Sequence, residues 1–226
     1  MRIFGLILLA LTAPGLANAT PFDAPVYHYE GRLDVNVVTG QLAADWRIEL
    51  LDGQSGTLTF VLAPTFGDIA VGGDVDGFEL AQQGPFQAIV IDLAEEAETL
   101  SLSYAGGLPL DMLGNDINAI TPERVELTVD GFWLPVDATF RGFLTADLTV
   151  DAGAPWQTVA NGEVTPLPTG ARIVNRDPSL DIAFTMAPGF RISEQTGYTL
   201  YDLRAHDDGI DRLIAAADFC FDYLID

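Results

Sequence analysis

The sequence predicts a mainly β protein, an antiparallel β-sandwich or saddle-like sheet that is followed by one C-terminal α-helix. Three observations predict this class. Apolar and polar residues alternate along most of the chain from residue 26 to about 204, pairs such as Asp52-Gly53 and Asn161-Gly162 interrupt the alternation, and helical spacing appears only after His206. A period of two is typical of strands that bury one face, and many short strands without intervening helices favour a sandwich.

The strands begin with a predicted hairpin. Apolar residues stand at alternate positions in 27–37 and again in 42–50, and Thr39-Gly40 between them supplies turn chemistry. Further strand-like segments follow, and Gly, Pro or Asp residues separate most of them. These segments are 57–62, 86–93, 99–104, 124–129, 143–150, 171–174, 179–186 and 198–203.

The pattern changes after His206. Asp207 or Asp208 can cap a helix, and apolar residues then recur at three- and four-residue spacings at positions 210, 213, 214, 217, 221 and 224. We therefore expect an amphipathic helix over 205–226, the truncated start of a following domain, because no Gly or basic last turn ends it. Phe219 and Cys220 extend its apolar surface beyond one face, so it needs further protein to pack against.

Residues 1–19 have the features of an export signal. Arg2 supplies a positive start, residues 3–11 form an apolar run, and Ala17-Asn18-Ala19 matches an A-x-A cleavage site. The run is too short for a membrane-spanning helix. We expect cleavage after Ala19 and a periplasmic or secreted product without a membrane span, and an uncleaved N-terminal anchor is the alternative. The predicted domains are thus a signal peptide over 1–19, a β-sandwich over 20–204 and the helix.

Composition excludes several classes of partner. The 226 residues carry 33 Asp and Glu against 10 basic residues, a net charge of −23, and every basic residue is Arg. Nucleic acids and anionic membrane surfaces are bound through basic side chains, so this chain would repel both. A P-loop or Schiff-base lysine is ruled out as well. With one Cys, no intramolecular disulfide can form, so an apolar core must stabilise the exported fold.

The chain lacks the residues of a metal or nucleophilic centre. A zinc site uses three or four ligands, usually His or Cys, and only His28, His206 and Cys220 are present, with no H-E-x-x-H or C-x-x-C motif. We expect the histidines at the surface or in loops. Ser55 lies in a turn-like Gly-Gln-Ser-Gly sequence rather than a nucleophile elbow. Cys220 in an apolar helix reads as an inert core thiol.

Weaker alternatives remain open. The acidic loops at 74–77 and 111–118 resemble calcium-binding loops, although neither has EF-hand spacing. Among 33 acids a pair of carboxylates for glycoside hydrolysis is conceivable, but nothing singles one out. Aromatic residues offer a third alternative, because they can pack inside a sandwich or form an exposed platform for a glycan, and core packing is the preferred reading. They are Tyr27, Tyr29, Trp46, Tyr104, Trp133 and Trp156.

The order of several short segments is more informative than any single motif. A Tyr-x-Tyr-x-Gly-x-Leu-x-Val run is followed by a Trp-containing hairpin strand, a strand ending in Tyr-Ala-Gly-Gly, a Phe-Trp-Leu-Pro passage, and a Pro-Trp pair with Val-x-x-Gly. They lie at 27–35, 46–50, 100–107, 132–135 and 155–162. This order resembles the N-terminal β domain of the aminopeptidase N (membrane alanyl aminopeptidase) family of zinc metallopeptidases. The segments 182–191 and 210–225 are similar to the strand, loop and helix that lead into that family's catalytic domain.

The resemblance implies a domain of an enzyme that removes N-terminal residues from peptides. In this family the zinc ligands H-E-x-x-H, a downstream Glu and the G-x-M-E-N loop follow the helix, and these 226 residues contain none of them. The family's N-terminal domain also supplies a Gln or Glu near the substrate amine, in a segment corresponding to 123–135. This chain lacks the Q-x-E-x-x-x-A-R pattern there, so no catalytic, cofactor-binding or metal-binding residue is assigned.

Two functions follow from these observations. The first is a non-catalytic N-terminal domain, truncated or relic, of an exported aminopeptidase N-like metallopeptidase. It would show no peptidase activity alone, would hold no cofactor of its own, although the full-length family uses zinc, and would associate with a separately encoded catalytic domain through the C-terminal helix. The alternative is a periplasmic β-sandwich that binds a glycan or another envelope component through exposed aromatic residues.

Overall fold

The computed structural model describes residues 9–10, 25–51, 54–108, 117–203 and 209–225. The predicted cleavage site at 17–19, His206, the acidic segment 111–116 and the predicted helix caps at 207 and 208 lie outside the described residues. The chain divides into two compact units, a larger one over Ala19–Pro188 and a smaller one formed by Met1–Asn18 with Gly189–Asp226.

The strands and the α-helix are short to medium in length and are numbered here in chain order. They are β1 (Leu9–Ala10), β2 (Tyr27–Asn36), β3 (Gln41–Leu50), β4 (Thr57–Leu62), β5 (Phe66–Gly73), β6 (Val75–Gln83), β7 (Phe86–Leu93), β8 (Thr99–Gly107), β9 (Ala119–Ile120), β10 (Val125–Leu127), β11 (Val136–Asp137), β12 (Leu144–Asp151), β13 (Gln157–Ala160), β14 (Glu163–Leu167), β15 (Gly170–Ser179), β16 (Phe184–Ala187), β17 (Arg191–Gln195), β18 (Tyr198–Asp202) and α1 (Ile210–Ile225). A 3-10 helix over Val129–Gly131 follows β10.

Three sheets build the larger unit. The largest has seven strands in the order β14-β15-β12-β2-β3-β8-β5, and two four-stranded sheets have the orders β11-β4-β7-β6 and β13-β16-β10-β9. One contiguous apolar cluster contains buried side chains from all three sheets. The predicted mainly β class is therefore confirmed.

The predicted hairpin and its alternation are confirmed in β2 and β3. The strands pair antiparallel from Tyr27 opposite Leu50 to Asn36 opposite Gln41. In β3 the even-numbered residues from Leu42 to Leu50 are buried, and every odd-numbered one has greater exposure. This is the pattern of a strand with one face on the core and one face in water.

The seven-stranded sheet corrects the expectation of a wholly antiparallel architecture. β2 and β12 are parallel neighbours, with Tyr27 opposite Leu144 and Asp34 opposite Asp151. Parallel strands require a long connection rather than a hairpin, and here β3 to β11 intervene between them in the chain. Alternation within each strand does not reveal the direction of a neighbour so distant in sequence.

Several strands are missing from the sequence prediction. No strand is predicted between 62 and 86, but Phe66–Gly73 and Val75–Gln83 form β5 and β6, with Gly73 at φ 91° near the corner between them. The predicted strand 124–129 is shorter than expected and gives way to the 3-10 helix after Thr128. Glycine tolerates positive φ, so it occurs both in turns and at corners between adjoining strands. A glycine in the sequence therefore does not tell the two apart.

The smaller unit combines strands with the helix. β18 pairs antiparallel with β17 and, along Leu9–Ala10, with β1. The Tyr198 hydroxyl on β18 donates to the backbone oxygen of Ile214 at 3.3 Å or to Asp218 Oδ1 at 2.8 Å, so the helix is joined to this sheet. β17 and β18 belong to the same compact unit as the helix.

The described part of α1 shows where its apolar residues lie. Leu213, Ile214 and Ala217 are partly buried, whereas Phe219 is 71% exposed. Cys220 is also exposed, which corrects the expectation of a core thiol. No helix among the described residues is long and apolar enough to span a bilayer.

Gly31 on β2 is packed closely against the Trp46 ring, so a substitution there tests how tightly the core is packed. A Cβ added there would lie 2.3 Å from two carbons of the Trp46 ring, which is directly opposite on β3. We predict that Gly31→Ala lowers the free energy of unfolding by about 3 kcal/mol, because the indole cannot move without disturbing its neighbours. Urea denaturation measures this. Gly67→Ala is the control, since nothing lies within 4 Å of its added Cβ, and an equal loss in both variants would contradict the packing account.

Candidate functional site

The aromatic residues proposed for a glycan platform are buried. Trp156 is partly buried and packs against the core. The others have exposed fractions of 3% or less: Tyr27, Tyr29, Trp46, Tyr104 and Trp133. Core packing, the preferred sequence reading, is therefore confirmed. The alternative of a glycan-stacking surface built on these residues is wrong, because a sugar cannot reach their faces.

These rings form a continuous contact chain through the larger unit. Ring centroids are separated by 6.1 Å for Tyr27 and Tyr29, by 5.7 Å for Tyr29 and Trp46, and by 6.1 Å for Trp46 and Trp133. Aromatic pairs at such distances stabilise a core beyond the area that they bury. Because the rings come from β2, β3 and the segment after the 3-10 helix, the chain joins elements that are far apart in sequence.

Three tyrosine hydroxyls of this core fix the segment 133–137. Tyr29 donates to the carbonyl of Pro135 at 2.9 Å, Tyr104 donates to the carbonyl of Trp133, and Tyr27 donates to the Asp137 carboxylate at 2.5 Å. Burial is the main cause that raises the pKa values of Tyr29 and Tyr104, so both remain protonated donors. Two of the three bonds go to backbone carbonyls of the segment and one goes to the Asp137 side chain, so the segment is tied to β2 and β8.

Two phenylalanines beside this segment adopt left-handed backbone conformations. Phe132 has φ 46° and Phe140 has φ 55°, in a region that costs a non-glycine residue about 1 kcal/mol or more. The Phe132 ring lies 4.2 Å from the Phe86 ring and 6.2 Å from the Phe140 ring, centroid to centroid. These contacts and the fixed segment that follows hold Phe132 in its strained conformation.

Glu126 is a buried carboxyl in the middle of a short strand. It lies on β10 between Thr185 of β16 and Ala119 of β9, and its side chain is 3% exposed. Arg124 Nε lies 3.3 Å from Glu126 Oε2. Burial raises the pKa of Glu126 to about 7, although the nearby Arg124 charge lowers it. Glu126 thus changes charge close to neutral pH.

Asp181, which lies between β15 and β16, is a second carboxyl with a raised pKa. Burial is the main cause that raises its pKa to about 6, and the neighbouring Asp130 adds to the effect. Its Oδ2 accepts a hydrogen bond from the Val129 backbone N–H at 2.9 Å, whereas Oδ1 is buried with no partner. Asp181 therefore anchors the start of the 3-10 helix.

Sequence reasoning missed both carboxyls. Glu126 stands between Val125 and Leu127, and all three residues are buried. In an alternating strand the middle residue is expected to face water, so the sequence gives no sign that a second layer covers it. Both groups can hold or release a proton near neutral pH. The Glu126 side chain is 3% exposed, too deeply buried to touch a substrate.

The residues considered for metal or nucleophilic chemistry are not brought together. His28 lies partly exposed on the outward face of β2, where its Nδ1 is 2.8 Å from the hydroxyl of Thr145 on β12, so it is a surface histidine on a strand rather than in a loop. Across the described ranges, no group of three His, Cys, Asp or Glu residues is placed to hold a metal ion. Ser55 is exposed in a turn-like segment. The described donors do not fit a zinc centre.

The acidic loop at 74–77 has a structural explanation. The Asp74 carboxylate accepts hydrogen bonds from the backbone N–H groups of Glu98 and Thr99 at 3.1 and 2.9 Å. These bonds, the Thr99 bond foremost, lower the pKa of Asp74. The carboxylate thereby joins the corner between β5 and β6 to the start of β8. Of the second loop, residues 117 and 118 are described, and the Asn118 side chain bonds to Thr128.

Solved structures with a similar fold include M1 zinc metallopeptidases and LTA4 hydrolase. A mutant M1 zinc metallopeptidase of Deinococcus radiodurans bound to a Tyr-Ser-Ala substrate matches with a TM-score of 0.52 and 15% identity, over 75% of this chain and 44% of that chain. A further structure of the M1 zinc metallopeptidase from the same organism gives 0.51 and 17%, over 78% and 46%. Yeast LTA4 hydrolase in complex with bestatin gives 0.52 and 12%, over 80% and 32%.

The likeness concerns the fold alone. No family model matches the chain, and no curated protein matches it. This chain spans less than half the length of each of these solved chains. It has the fold of the N-terminal domain of M1 metallopeptidases, and at 12–17% identity this says nothing about its chemistry.

Glu126 makes stability depend on pH. Its folded-state pKa of about 7 lies above the usual value of 4.5, so the folded state holds the proton more tightly than the unfolded state. We predict that this group lowers the free energy of unfolding as pH rises from 4.5 to 7, by up to about 3 kcal/mol. Glu126→Gln should remove this loss and be the more stable protein at pH 8, while the two proteins converge at pH 4.

Chemical denaturation between pH 4 and pH 8 measures the difference between the two proteins. Glu123→Gln is the control, because Glu123 is exposed on the same passage of chain. A constant difference between Glu126→Gln and wild type over the whole pH range would contradict the raised pKa.

Tyr104 provides a second test, because its hydroxyl serves two partners. It accepts from Trp46 Nε1 at 3.0 Å and donates to the Trp133 carbonyl. Tyr104→Phe leaves both buried partners unsatisfied, so we predict a loss of about 2 to 4 kcal/mol in the free energy of unfolding. Urea denaturation measures this loss. The control is Tyr201→Phe, which removes a hydroxyl from the smaller unit. Equal stabilities of the two variants would refute the proposed hydrogen-bond network.

Proposed function

We propose that this chain acts as the non-catalytic N-terminal β domain of an exported aminopeptidase N-like zinc metallopeptidase. The observation that carries the proposal is the fold, which matches the M1 zinc metallopeptidases although the chain spans less than half their length. The order of sequence segments supports the same family independently. The proposed enzyme would remove N-terminal residues from peptides.

In this proposal the chemistry belongs to a partner. A zinc metallopeptidase needs three protein ligands for its metal, which polarises the scissile carbonyl, and a carboxylate base nearby. His28 bonds to Thr145 inside a sheet, and Cys220 lies on the helix of the smaller unit. In the proposed arrangement the zinc ligands come from a separately encoded catalytic domain, and this chain supplies the β domain beside it.

We place the partner's contact on α1. One side of the helix is joined to β18 through Tyr198, whereas Phe219 is 71% exposed and the neighbouring Ala215 and Ala216 are exposed as well. Burying a phenylalanine of this exposure contributes about 1.5 to 3 kcal/mol to an association. The helix thus offers a partner an apolar surface of the size of a single anchor residue.

Activity and association are tested together with the mature chain, residues 20–226. We predict that it binds no stoichiometric zinc and does not hydrolyse an alanyl-anilide substrate alone. Purified under native conditions from its source, it should co-elute with a polypeptide that mass spectrometry identifies by an H-E-x-x-H sequence, and the complex should be active. Phe219→Lys should abolish co-elution, because a charge cannot enter the apolar contact.

Ile192→Lys is the matched control, since Ile192 is 51% exposed in the same unit but lies on β17. One equivalent of zinc in the isolated chain, with activity that a chelator removes, would refute the proposal. So would recovery of the chain only as a monomer from the native source.

A further inference from the structure

Strand β6 is an unpaired sheet edge in the part of the chain that the structure describes. It ends the four-stranded sheet, with β7 as its hydrogen-bonded neighbour. The register with β7 is irregular only between Val75 and Gly77, and the stretch that follows is regular. Every residue from Phe78 to Gln83 is exposed. A regular edge of this kind presents a row of backbone donors and acceptors that another strand can use.

The apolar side chains of β6 are left half covered at this edge. Phe78 lies opposite Ile91 and Leu80 lies opposite Ile89 on β7. Both isoleucines are fully buried, whereas Phe78 is 41% and Leu80 is 47% exposed. The inward-facing surface of the sheet therefore continues onto β6 without a further strand to cover it. An added strand with apolar residues at alternate positions would bury both side chains.

Both edges of the seven-stranded sheet carry features that block strand addition. The β14 edge of the seven-stranded sheet contains Pro166, which has no backbone N–H to donate. The β5 edge of the same sheet has a register shift between Gly67 and Ala70. Proteins protect edges from pairing with such prolines and bulges. β6 has neither over Phe78–Gln83, and at nine residues it is longer than β17, the five-residue edge strand of the smaller unit. We therefore take β6 as the edge best suited to pair with a partner strand.

The charge around β6 indicates what kind of strand fits. The four strands of its sheet contain no Arg, but they contain Asp76, Glu79, Asp92 and Asp137. By contrast, four arginines form ion pairs on the strands of the seven-stranded sheet: Arg32, Arg47, Arg172 and Arg176. The surface beside β6 therefore has uncompensated negative charge. A second copy of this chain, itself at −23, would be repelled there.

We propose that β6 is a docking edge for an extended, basic peptide segment of a partner protein, which adds to the sheet as a fifth strand. Alternate apolar side chains of the segment cover Phe78 and Leu80, and the intervening Lys or Arg side chains approach Glu79 on the opposite face. Backbone hydrogen bonds supply the affinity and the two faces supply the specificity. The site lies in the larger unit and is independent of the proposed contact through α1.

A nine-residue fluorescent peptide of alternating Val and Lys, blocked at both ends, tests the proposal on the mature chain. Its twin with Glu in place of Lys and a version with a central Pro are the controls. We expect the Lys peptide to bind at least tenfold more tightly than either, by fluorescence anisotropy at about 0.15 M salt, where charges more than about 8 Å apart are largely screened. Amide hydrogen exchange should show new protection in β6.

Variants separate docking at β6 from a general attraction between opposite charges. Leu80→Lys and Glu79→Lys should each weaken binding at least tenfold, the first through the apolar face and the second through charge. Val38→Lys, which adds the same charge at an exposed hairpin tip, should change it less than twofold. Equal binding of the Pro peptide, unchanged affinity of Leu80→Lys, or unchanged exchange in β6 would each overturn the proposal.

Discussion

The fold depends on the way in which buried aromatic residues hold the segment 133–137. Strands β2 and β8 supply Tyr27, Tyr29 and Tyr104, whose hydroxyls donate to this passage, and Trp46 of β3 donates to the Tyr104 hydroxyl. The buried carbonyls of Trp133 and Pro135 lie outside the strands and must be satisfied in some other way, and here tyrosine hydroxyls donate to them. The seven-stranded sheet and the two smaller sheets can share one core because this passage connects them.

Electrostatics divides the larger unit into surfaces of different character. The seven-stranded sheet compensates its carboxylates with paired arginines, as in the contact of Arg32 with Asp34 and Asp151. Exposed pairs of this kind contribute little to stability, typically below about 1 kcal/mol, but they lower the local excess of negative charge. The four-stranded sheet that ends in β6 has four acids and no Arg, so none of its carboxylates can pair with an arginine on a strand of the same sheet. The sheets of the larger unit therefore differ in how far arginines compensate their carboxylates.

The sequence predicts features that depend on local, repeated patterns, and it does not predict features that depend on residues far away in the chain. Alternation in β2 and β3 predicts the hairpin and its buried face, because successive side chains of a strand point to opposite faces of the sheet. The parallel pairing of β2 with β12 and the burial of Glu126 depend on elements far away in the chain. Glycines mislead for a different reason, since Gly73 stands at a corner between strands rather than in a loop. The position of Cys220 depends on which face of α1 is covered.

A fold shared with zinc metallopeptidases does not carry their chemistry, because the metal site of an enzyme consists of particular side chains. In this chain the parts that resemble the family are packing features, such as the Phe132-Trp133-Leu134-Pro135 passage and the aromatic rings around it. Packing constrains the shape of a domain whether or not it stands beside an active site. The same rigidity would serve a scaffold for a catalytic partner, for which a fixed β domain costs no ordering entropy on association.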